Sequence, residues 1–311
     1  MRYIDFHNLP LSRLSLGTAP FGSGIPKEIA FDILDNYMAV GGNLLDTAAV
    51  YGFGASEKTI GEWMKSRGSR NRVFISTKGG HPAIPSWEKR ITEADIRADM
   101  ESSLRNLGTD HVDLYFLHRD DEDLPVSEIM PVLDRLIREG KTRYIGASNW
   151  TVARINEANA FARTEGLTEF SVSQIMWNAA CINRDGLYDQ TLVAMDGTEY
   201  AGYVENRIPV MAYTAQAQGL FSLLQRGGYD SLSEAMAATY LNATTRRRAE
   251  VILSVAAKTG ISPTALSLVC LLYDHRVEAL PILGISKVER LTEATEVLEL
   301  SEDIVTAILS S

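Results

Sequence analysis

GGNLLDTAAVYGFGASEKTIGEWM, residues 41–64, decides the fold. The apolar pair Leu44-Leu45 ends at Asp46, Tyr51 follows in a loop flanked by glycine, and a helical pattern begins at Ser56. A short apolar run, a loop and an amphipathic stretch make one strand–helix unit. The polar residue at the strand tip belongs to no hydrophobic pattern and asks for a chemical reason.

Working outward, the same unit recurs. Strand-like runs occupy LSLGT (14–18), NLLDT (43–47), RVFISTK (72–78), HVDLYFLH (111–118), TRYIGAS (142–148), SVSQIM (171–176), IPVMAYT (208–214) and VEALPIL (277–283). They are nearly continuous in apolar residues, as strands covered on both faces of a parallel sheet are. Helical stretches lie between them at 27–40, 56–67, 92–107, 126–139, 151–163, 246–259 and 287–299. Ser56 with Glu57, and Thr92 with Glu93 and Asp95, read as helix starts. Eight such units in succession imply an α/β fold, a single (β/α)8 TIM barrel. A doubly wound open sheet is the alternative, but it calls for fewer strands and a Gly-rich first turn. Three additions fall outside the repeat: an N-terminal β-hairpin over 2–13 turned at Asn8-Leu9-Pro10, a long loop over 215–245 with a helix near 231–240, and a C-terminal helix over 301–309. No linker or low-complexity stretch divides the chain, so residues 1–311 read as one domain.

Composition narrows the function. The chain is 45% apolar with a net charge of −10 and interspersed signs, which argues against nucleic acid and anionic membrane as partners. Arg246-Arg247-Arg248 reads as a solvated helix face. There is no apolar segment of transmembrane length, the first residues lack the apolar core of a signal peptide, and two distant cysteines suggest no disulfide framework. The expected location is cytoplasmic. The five histidines lack metal-ligand spacing, so no metal is expected.

In a barrel of this type the chemistry sits at the C-terminal ends of the strands. Three consecutive tips deliver Asp46 with Tyr51 behind it, Lys78, and His118. A phenol is a poor proton donor at neutral pH, a nearby ammonium favours its ionisation, and a carboxylate keeps that ammonium charged. An imidazole can donate to an oxygen gaining negative charge. Together they suit protonation of an oxygen while hydride adds to the attached carbon. Taken singly, each has a plainer reading: Asp46 as a loop cap, Tyr51 as a packed aromatic, Lys78 as a solvated residue, His118 as a core histidine. Their arrival at adjacent tips favours the chemical reading.

The motifs LGTAPFG, NLLDTAAVYGFGASEKTIGEWM, ISTKGG, VDLYFLHRDD, IREGKTRYIGASNW, VMAYTAQAQGLFS and LGISKVERLTEA resemble those of the aldo-keto reductase superfamily, in order and over nearly the whole chain. The resemblance implies a barrel enzyme that reduces aldehydes or ketones with NADPH/NADP+, with Asp46, Tyr51, Lys78 and His118 as its tetrad and Tyr51 as general acid. It implies cofactor contacts from Thr18, Asp46, Ser148, Asn149, Gln174, Tyr213, Thr214, Gln216, Gly219 and Gly284. Ser286 and Arg290 would meet the 2′-phosphate, beside Lys287, and Glu293 the adenine.

Taken alone, GASNW has a plainer reading as a helix start capped by Ser148, Asn149 or Thr151, which Gln174 and Tyr213 beside it disfavour. Thr214-Ala215-Gln216, Leu224 and Ala294 depart from the family pattern where pyrophosphate and adenine would lie, with Arg226 near enough to substitute for a missing lysine. Phe21, Tyr51, Trp87, His118 and Trp150 are candidate substrate walls, Asn149 and Arg119 add polarity, and Trp63 reads as packing. The charge in LHRDD leans the expected small-molecule substrate toward a sugar-like or polar aldehyde. A nucleotide-binding regulatory subunit with little turnover is a second reading. A dehydrogenase acting mainly in oxidation is a third. Oligomeric state is not legible.

Overall fold

The computed structural model describes residues 1–310. Ten strands form: β1 (Tyr3–Phe6), β2 (Leu9–Ser12), β3 (Ser15–Gly17), β4 (Leu44–Asp46), β5 (Phe74–Gly79), β6 (Val112–Leu117), β7 (Thr142–Ser148), β8 (Val172–Met176), β9 (Val210–Tyr213) and β10 (Ala279–Gly284). The last eight close into a barrel in the order β10-β3-β4-β5-β6-β7-β8-β9, while β1 and β2 pair as an antiparallel hairpin. The strand–helix alternation therefore produces the (β/α)8 fold expected. Among the described residues no helix is long and apolar enough to cross a membrane. By contact density the chain divides into two compact units, Ser15–Gln174 and Met1–Leu14 with the chain from Ile175 onward.

Within Ser15–Gln174, β3 to β8 run parallel. Leu45 pairs with Ile75, Asp46 with Ser76, Lys78 with Phe116, and Ser148 with Gln174. Every residue of β6 is buried, as a strand covered on both faces must be. Helices Lys27–Ala39, Ala55–Arg67, Glu93–Leu107, Val126–Arg138 and Val152–Glu165 connect them. Val126–Arg138 buries Ile129, Met130, Val132, Leu133 and Leu136, the spacing of a one-sided apolar stripe. Thr92 caps its helix by accepting from Asp95 N, and Thr151 caps the next by accepting from Arg154 N. Each cap contributes about 1 kcal/mol. Thr151 is thus the cap among the three residues that offered one, and Ser148 and Asn149 are not used in that way.

Ser56 corrects its expectation. The helix starts at Ala55 behind Gly54, and Ser56 lies inside it with its hydroxyl donating to Thr18 O. The hydroxyl is drawn to a buried carbonyl that the helix approaches closely, so it is not left to cap.

In the other unit β9 and β10 pair in parallel. The hairpin turns at His7-Asn8, both at positive φ, and Pro10 lies within β2 opposite Asp5. The expected turn at Asn8-Leu9-Pro10 is one residue late, because proline sits comfortably in an edge strand where its missing N–H costs no ladder bond. The long loop after β9 carries two helices, Leu220–Gly227 and Glu234–Tyr240, where one was expected. Gly197–Asn206, capped by Asp196, was not anticipated. The helix predicted over 287–299 is Val288–Thr295 followed by a tighter turn, and the terminal helix is Glu302–Leu309. Arg248 is tied to Ala179 O, while Arg246 and Arg247 are exposed as anticipated for a solvated face.

Candidate active site

β4 and β5 lie side by side, and Asp46 pairs with Ser76, so side chains two residues apart on β5 reach the same carboxylate. Ser76 Oγ donates to Asp46 Oδ1 at 2.9 Å, and Lys78 Nζ donates to Asp46 Oδ2 at 2.7 Å. Gln174 Nε2, from β8, donates to the same Oδ1 at 2.9 Å. The carboxylate is almost wholly enclosed yet satisfied on both oxygens, which is the condition for a charge to persist there.

Lys78 is equally constrained. Its ammonium has three protons and three acceptors: Asp46 Oδ2, Thr47 O at 2.7 Å and Tyr51 Oη at 3.3 Å. Burial pulls the ammonium down, but Asp46 and then Tyr51 outweigh it, and the net direction is upward. Lys78 is therefore a fixed cation with one proton aimed at the phenol.

The Tyr51 side chain is partly exposed, and its hydroxyl accepts from Lys78 Nζ. Burial pushes the phenol up; Lys78 pulls it down and Asp46 pushes it up again, leaving the net direction upward. The lysine acts in the direction expected, but burial exceeds it. Tyr51 is thus held as the protonated phenol at neutral pH. Glycines at 52 and 54 and Phe53, all at positive φ, turn the chain directly behind it.

His118 extends β6 by one residue, its N–H donating to Gly79 O. Its ring meets that of Tyr51 edge-on at 5.7 Å. Burial, then Lys78, Arg119 and His81, hold the imidazole well below its ordinary value, so it is neutral. His118 Nδ1 is enclosed with no hydrogen-bond partner among the described residues. The carbonyl of His118 receives Arg119 Nη1 at 2.8 Å and Asn149 Nδ2 at 3.2 Å, which fixes the strand tip.

Asp46, Tyr51, Lys78 and His118 are therefore brought together. The other candidates divide. Ser148, Asn149 and Gln174 lie at adjoining tips of β7 and β8, Asn149 at φ 58. Thr18 is fully enclosed, its Oγ1 donating to Asp46 O, so it anchors the backbone of Asp46 and offers no surface to a ligand. Phe21 and Trp150 are also fully enclosed, Trp150 with Nε1 donating to Arg119 O; neither forms an open wall. Trp87 is half-exposed. Trp63 is core, with Nε1 on Asp35.

Of the charges in LHRDD, Asp120 pairs with Arg154 and Asp121 with Lys89, while Arg119 Nη1 donates to His118 O. Sequence reading missed Ser76 and His81. Ser76 was detectable as the residue two before Lys78 on one strand, whereas His81 lies in an aperiodic loop.

In the other unit, Tyr213 ends β9, and Thr214, Ala217, Gln218 and Gly219 all turn at positive φ. Gln216 Oε1 accepts Gly284 N at 2.9 Å. Ser286 is exposed, and helix Val288–Thr295 starts behind Lys287 with no side chain capping it. Arg290 Nη1 is paired with Glu293 at 3.1 Å. Arg226 is exposed on Leu220–Gly227.

Fold and site together define a (β/α)8 barrel oxidoreductase. A sequence model described as the Aldo/keto reductase family matches residues 13–310, and the chain belongs to that family. It is 31% identical, over 307 aligned residues, to the norsolorinic acid reductase stcV of Emericella nidulans, covering 90% of this chain and 72% of that protein. It is 32% identical over 310 residues to the aldo-keto reductase ausK of the same organism, covering 94% and 74%. It is 28% identical over 312 residues to the NADP(+) aryl-alcohol dehydrogenase of Phanerodontia chrysosporium, covering 94% and 78%.

Proposed function

We propose that this chain, acting as one domain over residues 1–311, reduces an aldehyde or ketone to an alcohol with NADPH, Tyr51 serving as general acid. The observation that carries the reading is the Lys78 ammonium, whose three protons are assigned to Asp46, Thr47 O and Tyr51 Oη. NADPH would supply the hydride. Tyr51 holds its proton at neutral pH and releases it to the carbonyl oxygen as the carbon receives hydride. Lys78 meets the phenolate that remains, and Asp46 keeps Lys78 charged. Neutral His118 donates to the same carbonyl oxygen, and its unpartnered nitrogen supports a role toward a ligand.

Ser148, Asn149 and Gln174 are suited to a carboxamide, although Gln174 Nε2 is already given to Asp46. Tyr213 would stack on the nicotinamide, and Thr214, Gln216, Gly219 and Gly284 would face the pyrophosphate. The uncapped start of Val288–Thr295, with Ser286 and Arg290, suits a phosphate, and Glu293 would meet adenine. A cytoplasmic location belongs to the proposal; the unpaired Cys181 and Cys270 accord with a reducing compartment.

One relative is named a dehydrogenase, which favours a second reading in which the same residues work in oxidation with Tyr51 as base. The test is NADPH consumption with a panel of aldehydes and ketones, wild type against Tyr51→Phe. A rate that survives the substitution removes Tyr51 as the acid. Tight nucleotide binding without turnover of any carbonyl would favour a regulatory role.

A further inference from the structure

We propose that Ser56 and Thr47 are positioning residues for the proton transfer: through their hydroxyls, the first turn of helix Ala55–Arg67 fixes the carbonyl that takes one proton of Lys78, and with it the aim of Lys78 at Tyr51. This rests on the reductase reading and adds a supporting layer to the same site. Thr18, Thr47 and Ser56 are all completely enclosed. Ser56 Oγ lies 2.9 Å from both Thr47 Oγ1 and Thr18 Oγ1 and donates to Thr18 O at 2.8 Å. Thr18 Oγ1 donates to Asp46 O, also at 2.8 Å. A carbonyl only accepts, so the single protons of Ser56 and Thr18 are committed, and Thr47 is the donor in its contact with Ser56. Ser56 does not cap its helix and does not reach solvent. Its hydroxyl instead joins the helix to the tips of β3 and β4.

Thr47 is where this junction meets the chemistry. Its carbonyl takes Lys78 Nζ at 2.7 Å, its N–H donates to Ser76 O at 2.9 Å, and its hydroxyl is held by Ser56. An ammonium with three protons and three acceptors has no slack. Displacing Thr47 O would strand one proton inside an enclosed site, and the ammonium would turn to recover a partner. The contact with Tyr51 Oη, at 3.3 Å, is the longest of the three and the one most easily lost in such a turn.

The helix is firm enough to serve as the support. A Cβ on Gly22 would lie 2.4 Å from Thr59 Oγ1 and 2.9 Å from Ala55 O, and one on Gly61 would lie 2.5 Å from Asn106 O. The helix is therefore pressed against the loop after β3 and against helix Glu93–Leu107, with no room to slide. Glu57, the next residue, is also enclosed: Oε1 accepts Thr77 Oγ1 at 2.7 Å and Oε2 accepts Asn106 Nδ2 at 3.0 Å. Ser56 thus steadies an acceptor of Lys78, and Glu57 the residue that precedes Lys78.

The experiment measures carbonyl reduction by wild type, Ser56→Ala, Thr47→Val and Thr47→Ser, with NADPH affinity and unfolding midpoints alongside. Lys78, Asp46, Arg119 and His118, the charged and titratable groups around the phenol, stay in place in all four. Ser56→Ala and Thr47→Val are expected to lower kcat about tenfold, with KM and NADPH affinity within about twofold of wild type. Thr47→Val keeps the shape of the side chain, so it tests the hydroxyl even where Ser56→Ala fails to fold. Thr47→Ser keeps the hydroxyl and is expected to keep most of kcat. Lower stability with kcat unchanged would overturn the assignment, because the cluster would then be packing alone. Equal losses in Thr47→Val and Thr47→Ser would overturn it too, because the methyl would then be what matters. The reductase reading survives both outcomes, since wild type against Tyr51→Phe decides it. A crystal structure of Thr47→Val gives a readout free of turnover. Lys78 Nζ is expected to have left Thr47 O, and an ammonium that keeps all three contacts would equally overturn the assignment.

Discussion

Lys78 Nζ stands 2.7 Å from Asp46 Oδ2 with both side chains sealed from water, and the ammonium is held above its ordinary value because the carboxylate, with Tyr51 behind it, outweighs its burial. Ahead of Tyr51, Asp46 is the largest of the influences that keep the lysine charged.

Removing that partner should reverse the alkaline behaviour of the fold. In wild type the raised Lys78 value contributes stability that is fully present below the ordinary 10.5 and lost as pH rises through the folded value. In Asp46→Asn the largest influence opposing burial is lost, the folded value is expected to fall below 10.5, and stability should instead increase as pH rises from neutrality toward 10.5. At pH 7 the variant should be about 3–5 kcal/mol less stable. Urea midpoints at several pH values read both effects; parallel slopes for the two proteins would refute the coupling.

Tyr51 carries the corresponding kinetic prediction. Its phenol is raised above 10.0, so the acid form persists through neutral and mildly alkaline solution. For carbonyl reduction kcat/KM should stay level with pH and decline only above 10.0, whereas alcohol oxidation, which needs the phenolate, should rise with pH throughout that range. Tyr51→Phe should lower both directions by about 100-fold or more while nucleotide affinity is kept. A reduction rate that falls on an alkaline limb near pH 7 would contradict the phenol's environment.

These outcomes rest on features of unequal legibility. The eight barrel strands could be read because they are apolar on both faces, and Thr142–Ser148 has the bounds expected of it. Asp46, Lys78 and His118 could be read because a polar residue ending an apolar strand has no packing reason to be there. Gly197–Asn206 escaped notice because its glycines and few apolar residues show no stripe, although Asp196 before it was a readable cap. For Thr18, Phe21 and Trp150, sequence position places a residue near the rim but not which way it turns. Once folded, all three point into packed protein. His81 is the converse, a loop residue whose ring is brought against His118 by bonds that only the folded loop makes.

Gly79 links packing to the site. A Cβ there would lie 2.1 Å from Tyr115 Oη and 2.8 Å from Asp99 Cβ, while the carbonyl of the same residue holds His118 N at 2.8 Å. Gly79→Ala should cost about 1–3 kcal/mol and lower kcat by displacing the tip of β6. Adding Tyr115→Phe removes the nearest atom and should restore part of the stability, measured by thermal unfolding. An alanine variant as stable as wild type would show that the strands are not packed this closely.

Asp120 should give the protein a stability component that titrates in mild acid. Its Oδ1 is enclosed without a partner among the described residues, and Oδ2 lies 3.4 Å from Arg154 Nε. Burial pushes the carboxyl up to about 6, against the pull of Arg154 and with a further push from Glu122. A raised carboxyl favours the folded state only when protonated, so its contribution is full below the unfolded value of 3.8 and is lost as pH rises through about 6. Across that window the loss amounts to about 1–3 kcal/mol. Asp120→Asn cannot titrate, so the difference in stability between wild type and variant should change with pH between 3.8 and about 6 and be constant above it. The quantity to measure is that difference, by chemical unfolding at pH 4, 5, 6 and 8, because the remaining carboxylates then cancel. A difference that is flat across the whole range would mean that Asp120 is hydrated in solution, and that Arg154, stacked 5.4 Å from the Trp150 ring, holds its place without a buried counter-charge.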